Sequence, residues 1–517
     1  MANSTFDLND FEDERVWDLI CEGNTKGVFQ LESQLGKSWA KKVKPRNISE
    51  LSALISLIRP GCLKAYIDGK SLTQRYVDRK SGLEPVLYPH ESLEDILKET
   101  YGILVYQEQS MMIAQHLAGF DLKDADILRK AIGKKKAGLM TKVKRSFLKG
   151  STKQGIVTKE VAKEIFSWIE KSNRYLFNKS HGVSYAFNAY WSAYCKCYRP
   201  IQFYVSYLNH SDRKPDSKQE IKELVMDARL SNLEVYPPRL SHLNTKFTSK
   251  GDKIFFGLSS IKHVGDKECL KISAHLDDNN MSEYTWLDVL VKLIHQCKLN
   301  KQSVVALISV GAFTGSKNKV DRQQMLYEFD SWRQLSNRER DHISENYQQF
   351  SSLSECLLDM IHNFKLTAPR REIVTDIKNS MDKPFYGLQD SIISIAEQEE
   401  KYMGCALTCS KTDTISANFS NSLCKDVSQG TIMGKVSLAV QINTIRQYKT
   451  KKGKNPGQLM AFLSVEDGSG MLDSITIFPE SYQKYKDLLV EGNTVMLLGE
   501  TSKKERSSII VNKVSQI

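Results

Sequence analysis

The sequence predicts a multi-domain, mainly helical chain that closes on a small five-stranded β-barrel. Three observations predict it. At 517 residues the chain is far too long for one hydrophobic core, so roughly three or four domains are expected. Helical periodicity dominates the first part, to about residue 235. From Gly430 onward the period changes to the alternation of strands.

The elements follow in order. Asp121 has a side chain suited to capping a helix, with Asp124 three residues on, and ADILRKAIGKK then runs as that helix. Just before it, VYQEQSMMIAQHLAGF is amphipathic and stops at Gly119. Thr158 precedes KEVAKEIFSWIEKS, whose Val161, Ile165 and Ile169 share one face. The aromatic-rich segment 185–208 reads as a buried helix pair broken at Pro200, its aromatic stripe serving as core. Pro237-Pro238 marks a break, and residues 315–380 turn polar and helical with an irregular pattern. Residues 411–429 have the composition of a linker. After them, TIMGKVSLAVQI, QLMAFLSVED, MLDSITIF, TVMLLGE and SIIVNKV read as strands, with a helix over ESYQKYKDLLVEG between the third and fourth. Five strands with a helix in that place form the pattern of an OB-fold barrel. A basic loop, RQYKTKKGKNPGQ (446–458), joins the first two strands. OB folds hold single strands with that loop, which nominates Lys449, Lys451, Lys452 and Lys454; the plainer alternative is a surface loop kept soluble by lysine.

Composition narrows the class. Hydrophobic residues make up 41% and charged residues 26%, ordinary values for globular protein. No apolar run approaches the roughly 18–20 residues of a membrane span, and the acidic N-terminus lacks a signal core, so a cytoplasmic protein with no membrane role is expected. The ten cysteines are scattered without the paired spacing of a zinc site, and free thiols are expected. Net charge is +12, and its distribution matters more. Residues 129–153 carry ten Lys or Arg and no acid. A solvated face mixes signs, because like charges one turn apart repel, so a one-signed block calls for a polyanion, nucleic acid or nucleotide phosphate before an anionic membrane surface, with a plain soluble surface as the alternative.

IKHVGDKECLKI (261–272) fits a helix-hairpin-helix. Val264 and Gly265 form its turn, Gly265 permits a tight hairpin whose backbone N–H groups face a phosphate, and Lys262 and Lys267 add charge. Alone this signal is weak. A string of unusual words is stronger: GVFQLES (27–33), ALISLIRPG (53–61), YGILVYQEQ (101–109), ADILRKAIGKKK (125–136) and FNKSHGVSYA (177–186). In order and spacing the chain resembles the alpha subunit of bacterial DNA polymerase III, the C-family replicative polymerases, and the likeness runs on through VYPP, FFGLSSIKHVG and the terminal barrel. The resemblance implies polymerase fingers over 1–235, a duplex-binding and clamp-binding region over 236–410, the linker, and the OB fold over 430–517. It implies that Arg129, Lys130, Gly133, Lys134, Lys135 and Lys136, with Tyr175, Asn178, Lys179, Ser180 and His181, hold the incoming dNTP, a structural histidine being the other reading of His181. Arg59, Gln107 and Glu108 either shape that surface or bond internally.

The sequence also departs from the family. Lys130 stands where a second Arg is usual, and Leu176 where Gly is usual before FNKSH. The PDxDxDF and KxDxLGL carboxylate strands that bind Mg²⁺ are found nowhere in these residues, and Asp68, Asp78 and Glu108 lack that context. The expectation is therefore the C-terminal part of a split polymerase in a bacterial or phage-infected cell, inactive alone. A palm-bearing N-terminal chain would supply the aspartates and Mg²⁺ site, with primer-template DNA and, by analogy, a sliding clamp as further partners. The alternative is a noncatalytic DNA-binding accessory protein.

Overall fold

The computed structural model describes residues 7–517 apart from 68, 135–136, 173–174, 279–280, 414, 416–418, 451–455 and 503–507. The chain divides into two compact units, Met1–Phe203 and Tyr204–Ile517. Among the described residues no helix is long and apolar enough to cross a membrane, and all ten cysteines are free.

The first unit is helical: α1 (Glu14–Cys21), α2 (Gln34–Val43), α3 (Ile48–Leu57), α4 (Leu72–Lys80), α5 (Gln107–Ala118), α6 (Leu122–Lys134), α7 (Ala137–Gln154), α8 (Lys159–Ser172) and α9 (Lys179–Tyr198). Short polar side chains set the starts. Asp13, Ser33, Asn47 and Ser71 each accept a backbone N–H from the first turn they precede. The predicted cap at Asp121 forms, accepting from the Asp124 N–H at 2.7 Å, and Thr158 likewise accepts from the Val161 N–H at 3.3 Å. α5 stops where Gly119 turns to φ 63°. The predicted helix pair breaks as expected, with α10 (Pro200–Asn209) starting at the proline.

Two cores organise this unit. Trp17, Leu54, Tyr76 and Tyr190 lie in one, and Ile113, Leu128, Phe147 and Phe166 in the other. Leu176 belongs to the second core, where its bulk fills space that a glycine would leave open. Two glycines set the closest helix approaches. A Cβ on Gly182 of α9 would lie 2.8 Å from Ser52 Oγ of α3, and one on Gly150 of α7 would lie 2.1 Å from the Ala118 carbonyl oxygen of α5. Any larger side chain would push these helices apart.

In the second unit, α11 (Ser217–Leu230) leads to a three-stranded sheet of β1 (Val235–Tyr236), β2 (Thr248–Lys250) and β3 (Lys253–Phe255), with β3 central. Then come α12 (Asp266–Asp278), α13 (Lys301–Ser309), α14 (Arg322–Gln334) and α15 (Ile392–Met403), and the polar stretch between the last two folds as further helices. A buried ion pair ties α14 to α15. Arg322 Nη1 donates to Glu399 Oε1 at 2.9 Å and to the Ser309 carbonyl at 3.0 Å. The second Glu399 oxygen accepts the N–H groups of Leu407 and Thr408 at 2.7 and 2.9 Å.

The chain ends in the predicted barrel: β4 (Lys435–Lys449), β5 (Leu459–Asp467), β6 (Gly470–Ile477), β7 (Thr494–Thr501) and β8 (Ile509–Gln516). It closes in the order β8-β6-β5-β4-β7, antiparallel except for the β8–β6 pair. The helix Pro479–Tyr485 falls between the third and fourth strands, as the OB pattern requires. The stretch expected to be a plain linker differs. It contains the short helix Cys424–Ser428, and Cys424 and Val427 are fully buried in the barrel core, two apolar side chains hidden in a polar composition. α11 also holds the barrel. Lys222 Nζ donates to Asn443 Oδ1 at 2.9 Å and pairs with Glu466 at 2.8 Å, at the bulge where β4 shifts register against β5.

Removing one partner of a buried ion pair strands the other charge. Glu399→Ala is expected to lower stability by about 3–5 kcal/mol, read as a reduced urea midpoint of the second unit. A loss below about 1 kcal/mol would mean Arg322 finds water instead.

Candidate nucleic-acid interface

Two of the sequence words meet at a short parallel bridge. Tyr106 pairs with Phe177, whose N–H donates to the Val105 carbonyl at 2.9 Å while the Gln107 N–H donates to the Phe177 carbonyl at 2.8 Å. The bridge delivers Glu108, in the first turn of α5, to the start of α9. There Glu108 Oε2 accepts the Lys179 backbone N–H and Oε1 accepts Asn178 Nδ2, both at 2.8 Å. Asn178 Oδ1 in turn caps α9 by accepting the His181 N–H at 2.9 Å. A helix N-terminus carries unpaired N–H groups and partial positive charge, so a carboxylate is favourable there. Of the two readings open for Glu108, internal bonding is the one observed.

Above this junction runs a row of rings. Phe29 packs against Tyr185 at 5.0 Å, Tyr185 against His181 at 4.0 Å, and His181 against Phe177 at 5.4 Å. The Arg59 guanidinium lies 3.9 Å from the Phe177 ring centroid and donates to the Tyr175 carbonyl at 3.0 Å. Three separate words, GVFQLES, RPG and FNKSH, therefore build one surface. His181 and Ser180 are exposed on it, while Phe29, Phe177 and Tyr185 are half-buried. Such a row suits a flat ring stacked beside a cation. Tyr175, which the resemblance places among the residues that hold the nucleotide, is half-buried. It packs against both cores, its hydroxyl donates to Ser172 Oγ at 2.7 Å, and burial pushes its pKa up to about 12. Phe29, Phe177 and Tyr185 were not nominated, although they lie inside or next to the quoted words.

The cations nominated for phosphate are held by nearby acids. Arg129 and Lys130 both reach Asp126 one turn back, each at 2.7 Å. These hydrogen bonds, that of Lys130 foremost, keep the Asp126 carboxyl below the usual carboxylate range. Lys179 Nζ pairs with Glu99 at 2.6 Å. All are solvent-facing pairs, which contribute little and are readily exchanged for a stronger anion. Gly133 and Lys134 lie in the last turn of α6, where only the backbone is described, and Lys135 and Lys136 lie outside the described residues.

Neither Asp78 nor Glu108 is placed to hold a Mg²⁺ pair. Asp78 is engaged by Lys70 at 2.6 Å and Gln74 at 2.8 Å, Glu108 caps α9, and Asp68 lies outside the described residues. Among the described residues no three of His, Cys, Asp or Glu converge as metal ligands.

In the second unit the hairpin keeps Ile261 and Val264 buried and Lys262 and Lys267 exposed. Its turn differs from the expected one. The left-handed residue is His263 (φ 72°), and Gly265 instead opens α12, its carbonyl accepting the Glu268 and Cys269 N–H groups at 3.0 and 3.1 Å. The space over Gly265 is open, since a Cβ there would meet nothing within 4 Å. Lys218 adds a cation beside Lys262, and burial followed by the Lys262 charge lowers its pKa. Asp266 and Glu268 in the first turn of α12 oppose an anion, though Glu268 is paired with Lys271 at 3.2 Å. On the barrel, Lys449 is exposed at the end of β4, and Lys451, Lys452 and Lys454 lie outside the described residues. Beside Lys449 the exposed rings of Tyr448 and Phe462 lie 6.5 Å apart, and Arg446 sits directly across from Phe462. Alternation along RQYK, which puts Arg446 and Tyr448 on one face, was the signal that could have nominated them.

Residues 2–155 match the family model of the bacterial DNA polymerase III alpha subunit finger domain, and residues 232–325 match a helix-hairpin-helix motif. The chain is 34% identical over 507 residues to the DNA polymerase III subunit alpha of Aquifex aeolicus, an alignment covering 97% of this chain and 39% of that protein. It is 28% identical to the proteins of the same name from Staphylococcus epidermidis and Staphylococcus aureus, over 98% of this chain and 43% of theirs. The chain thus spans about two fifths of the length of the curated relatives it matches.

Glu108→Ala would leave the start of α9 without its carboxylate. The expected cost is about 1–3 kcal/mol of stability in the first unit, measured by thermal or urea unfolding, with Glu108→Gln recovering part of it. An unchanged midpoint for the alanine variant would show that water serves the same donors.

Proposed function

We propose that this chain, which corresponds to the C-terminal part of a DNA polymerase III alpha subunit, supplies the fingers and the DNA-holding modules of a replicative DNA polymerase. In this reading Arg129, Lys130, Gly133, Lys134, Lys135 and Lys136, with Asn178, Lys179, Ser180 and His181, receive the triphosphate of the incoming dNTP. Cations there offset charge that develops on the leaving pyrophosphate. The His181 row takes the flat part of the nucleotide. The hairpin at Lys262, Gly265 and Lys267 holds the primer-template duplex, and the barrel face at Lys449, Tyr448 and Phe462 holds the template single strand. The palm carboxylates and their Mg²⁺ come from outside these residues, so template-directed synthesis belongs to the assembled enzyme and these residues by themselves are inactive. A sliding clamp is the further partner, with exposed Phe385 and Tyr386 of KPFYGL as the word it would take. The observation that supports the reading is the junction at Tyr106 and Phe177, beside which Phe29, Arg59, His181 and Tyr185 share one surface.

Two experiments test it. Replacing Lys134, Lys135 and Lys136 with Ala, in a mixture with a polypeptide bearing the palm aspartates, should reduce nucleotide incorporation well beyond any loss of DNA affinity. A fall in DNA affinity alone would favour a noncatalytic DNA-binding accessory protein. The second follows the Asp126 carboxyl by NMR as pH is lowered. Its pKa lies low while Lys130 and Arg129 donate to it, so a triphosphate that draws these cations away lets it rise toward the ordinary value. A midpoint unmoved by saturating triphosphate would remove Arg129 and Lys130 from the site.

A further inference from the structure

We infer that the outer face of α7 is a docking strip for the sugar-phosphate backbone of duplex DNA, through Lys142, Arg145, Lys149 and Lys153. The inference rests on the reading that this chain holds nucleic acid, and it uses none of the residues assigned above.

Packing dictates which face of α7 is outer. Val143 and Phe147 point into the second core, and Gly150 brings the helix against the Ala118 carbonyl. At about 100° per residue, Lys142, Arg145, Lys149 and Lys153 fall within an arc of about 80° on the far side, and all four are exposed. At about 1.5 Å of rise per residue they form a strip about 16 Å long with a cation every 5–6 Å or so, comparable to the separation of successive phosphates along a strand. The strip has no acid of its own, because residues 137–154 contain no Asp or Glu. Among the described residues, Lys144 on the flank of α7 has an acidic partner, Glu170 at 3.8 Å, and the four strip cations have none. The neighbouring α8 shows what a merely solvated face looks like here, since Lys159, Glu160, Lys163, Glu164, Glu170 and Lys171 mix both signs. Arg145, Lys149 and Lys153 repeat at four residues, a spacing at which like charges repel and only a polyanion relieves them.

The choice of a paired strand follows from what the strip lacks. Proteins that hold unpaired strands combine cations with aromatic platforms for the bases. The one ring on α7 is Phe147, and it is buried. A surface that offers cations alone suits a backbone whose bases are already stacked away.

The test measures binding of the full chain to a random-sequence duplex and to a single strand of the same length, over a series of NaCl concentrations. The variant K142A/R145A/K149A/K153A should flatten the duplex slope of log K against log salt by about 0.9 for each phosphate left without its cation, between three and four in all. The slope for the single strand should change much less. K142R/K149R/K153R should keep the wild-type slope, and circular dichroism should show unchanged helix content in both variants. An unchanged duplex slope, or a change confined to the single strand, overturns the inference while leaving the functional reading in place. If the wild-type chain binds neither DNA, both fall.

Discussion

The arrangement of the first unit hinges on one carboxylate. Glu108 meets the start of α9 because the bridge between Tyr106 and Phe177 brings it there, and it satisfies donors that no helix can satisfy for itself. Once α9 is fixed at that end, Gly182 can lie against Ser52 and Ser56, and Phe177, His181 and Tyr185 take their places in the ring row. Arg59 closes the row from the opposite side by bonding the Tyr175 carbonyl and covering Phe177. The surface is assembled by pieces of backbone far apart in sequence, each useless for the purpose without the others.

Charge in this unit is handled in two ways. Arg129, Lys130 and Lys179 are paired with acids close by, in solvent-facing pairs that contribute little to stability. The strip on α7 has no such acids and stays uncompensated. Pairing keeps the first group oriented, whereas open charge of the second kind acts at longer range and fades with salt.

The second unit buries many apolar side chains, Phe256, Leu290, Phe313 and Trp332 among them, and polar anchors fasten its elements to one another. Lys222, Asn443 and Glu466 fasten the barrel to α11 at the bulge in β4, and the Arg322–Glu399 pair joins α14, α15 and the loop that follows. Buried charges of this sort are costly to break and demand complete partners, which they have. They hold the barrel face carrying Tyr448 and Phe462 in fixed relation to its own supporting helix.

Much was legible from residues alone. Alternation determined the barrel, and the cap at Asp121 and the stops at Gly119 and Pro200 determined helix ends, because each depends on spacing within a short stretch. Tertiary structure alone decided that Tyr175 packs against both cores, that His263 and not Gly265 carries the left-handed turn, and that Cys424 and Val427 belong to the barrel core. It alone decided that Glu108 spends its charge on α9 and that Phe29, separated from His181 by 152 positions in the chain, shares its surface. The physical reason is the same in each case: period and capping are local, while burial and long-range partners depend on which distant element arrives beside them.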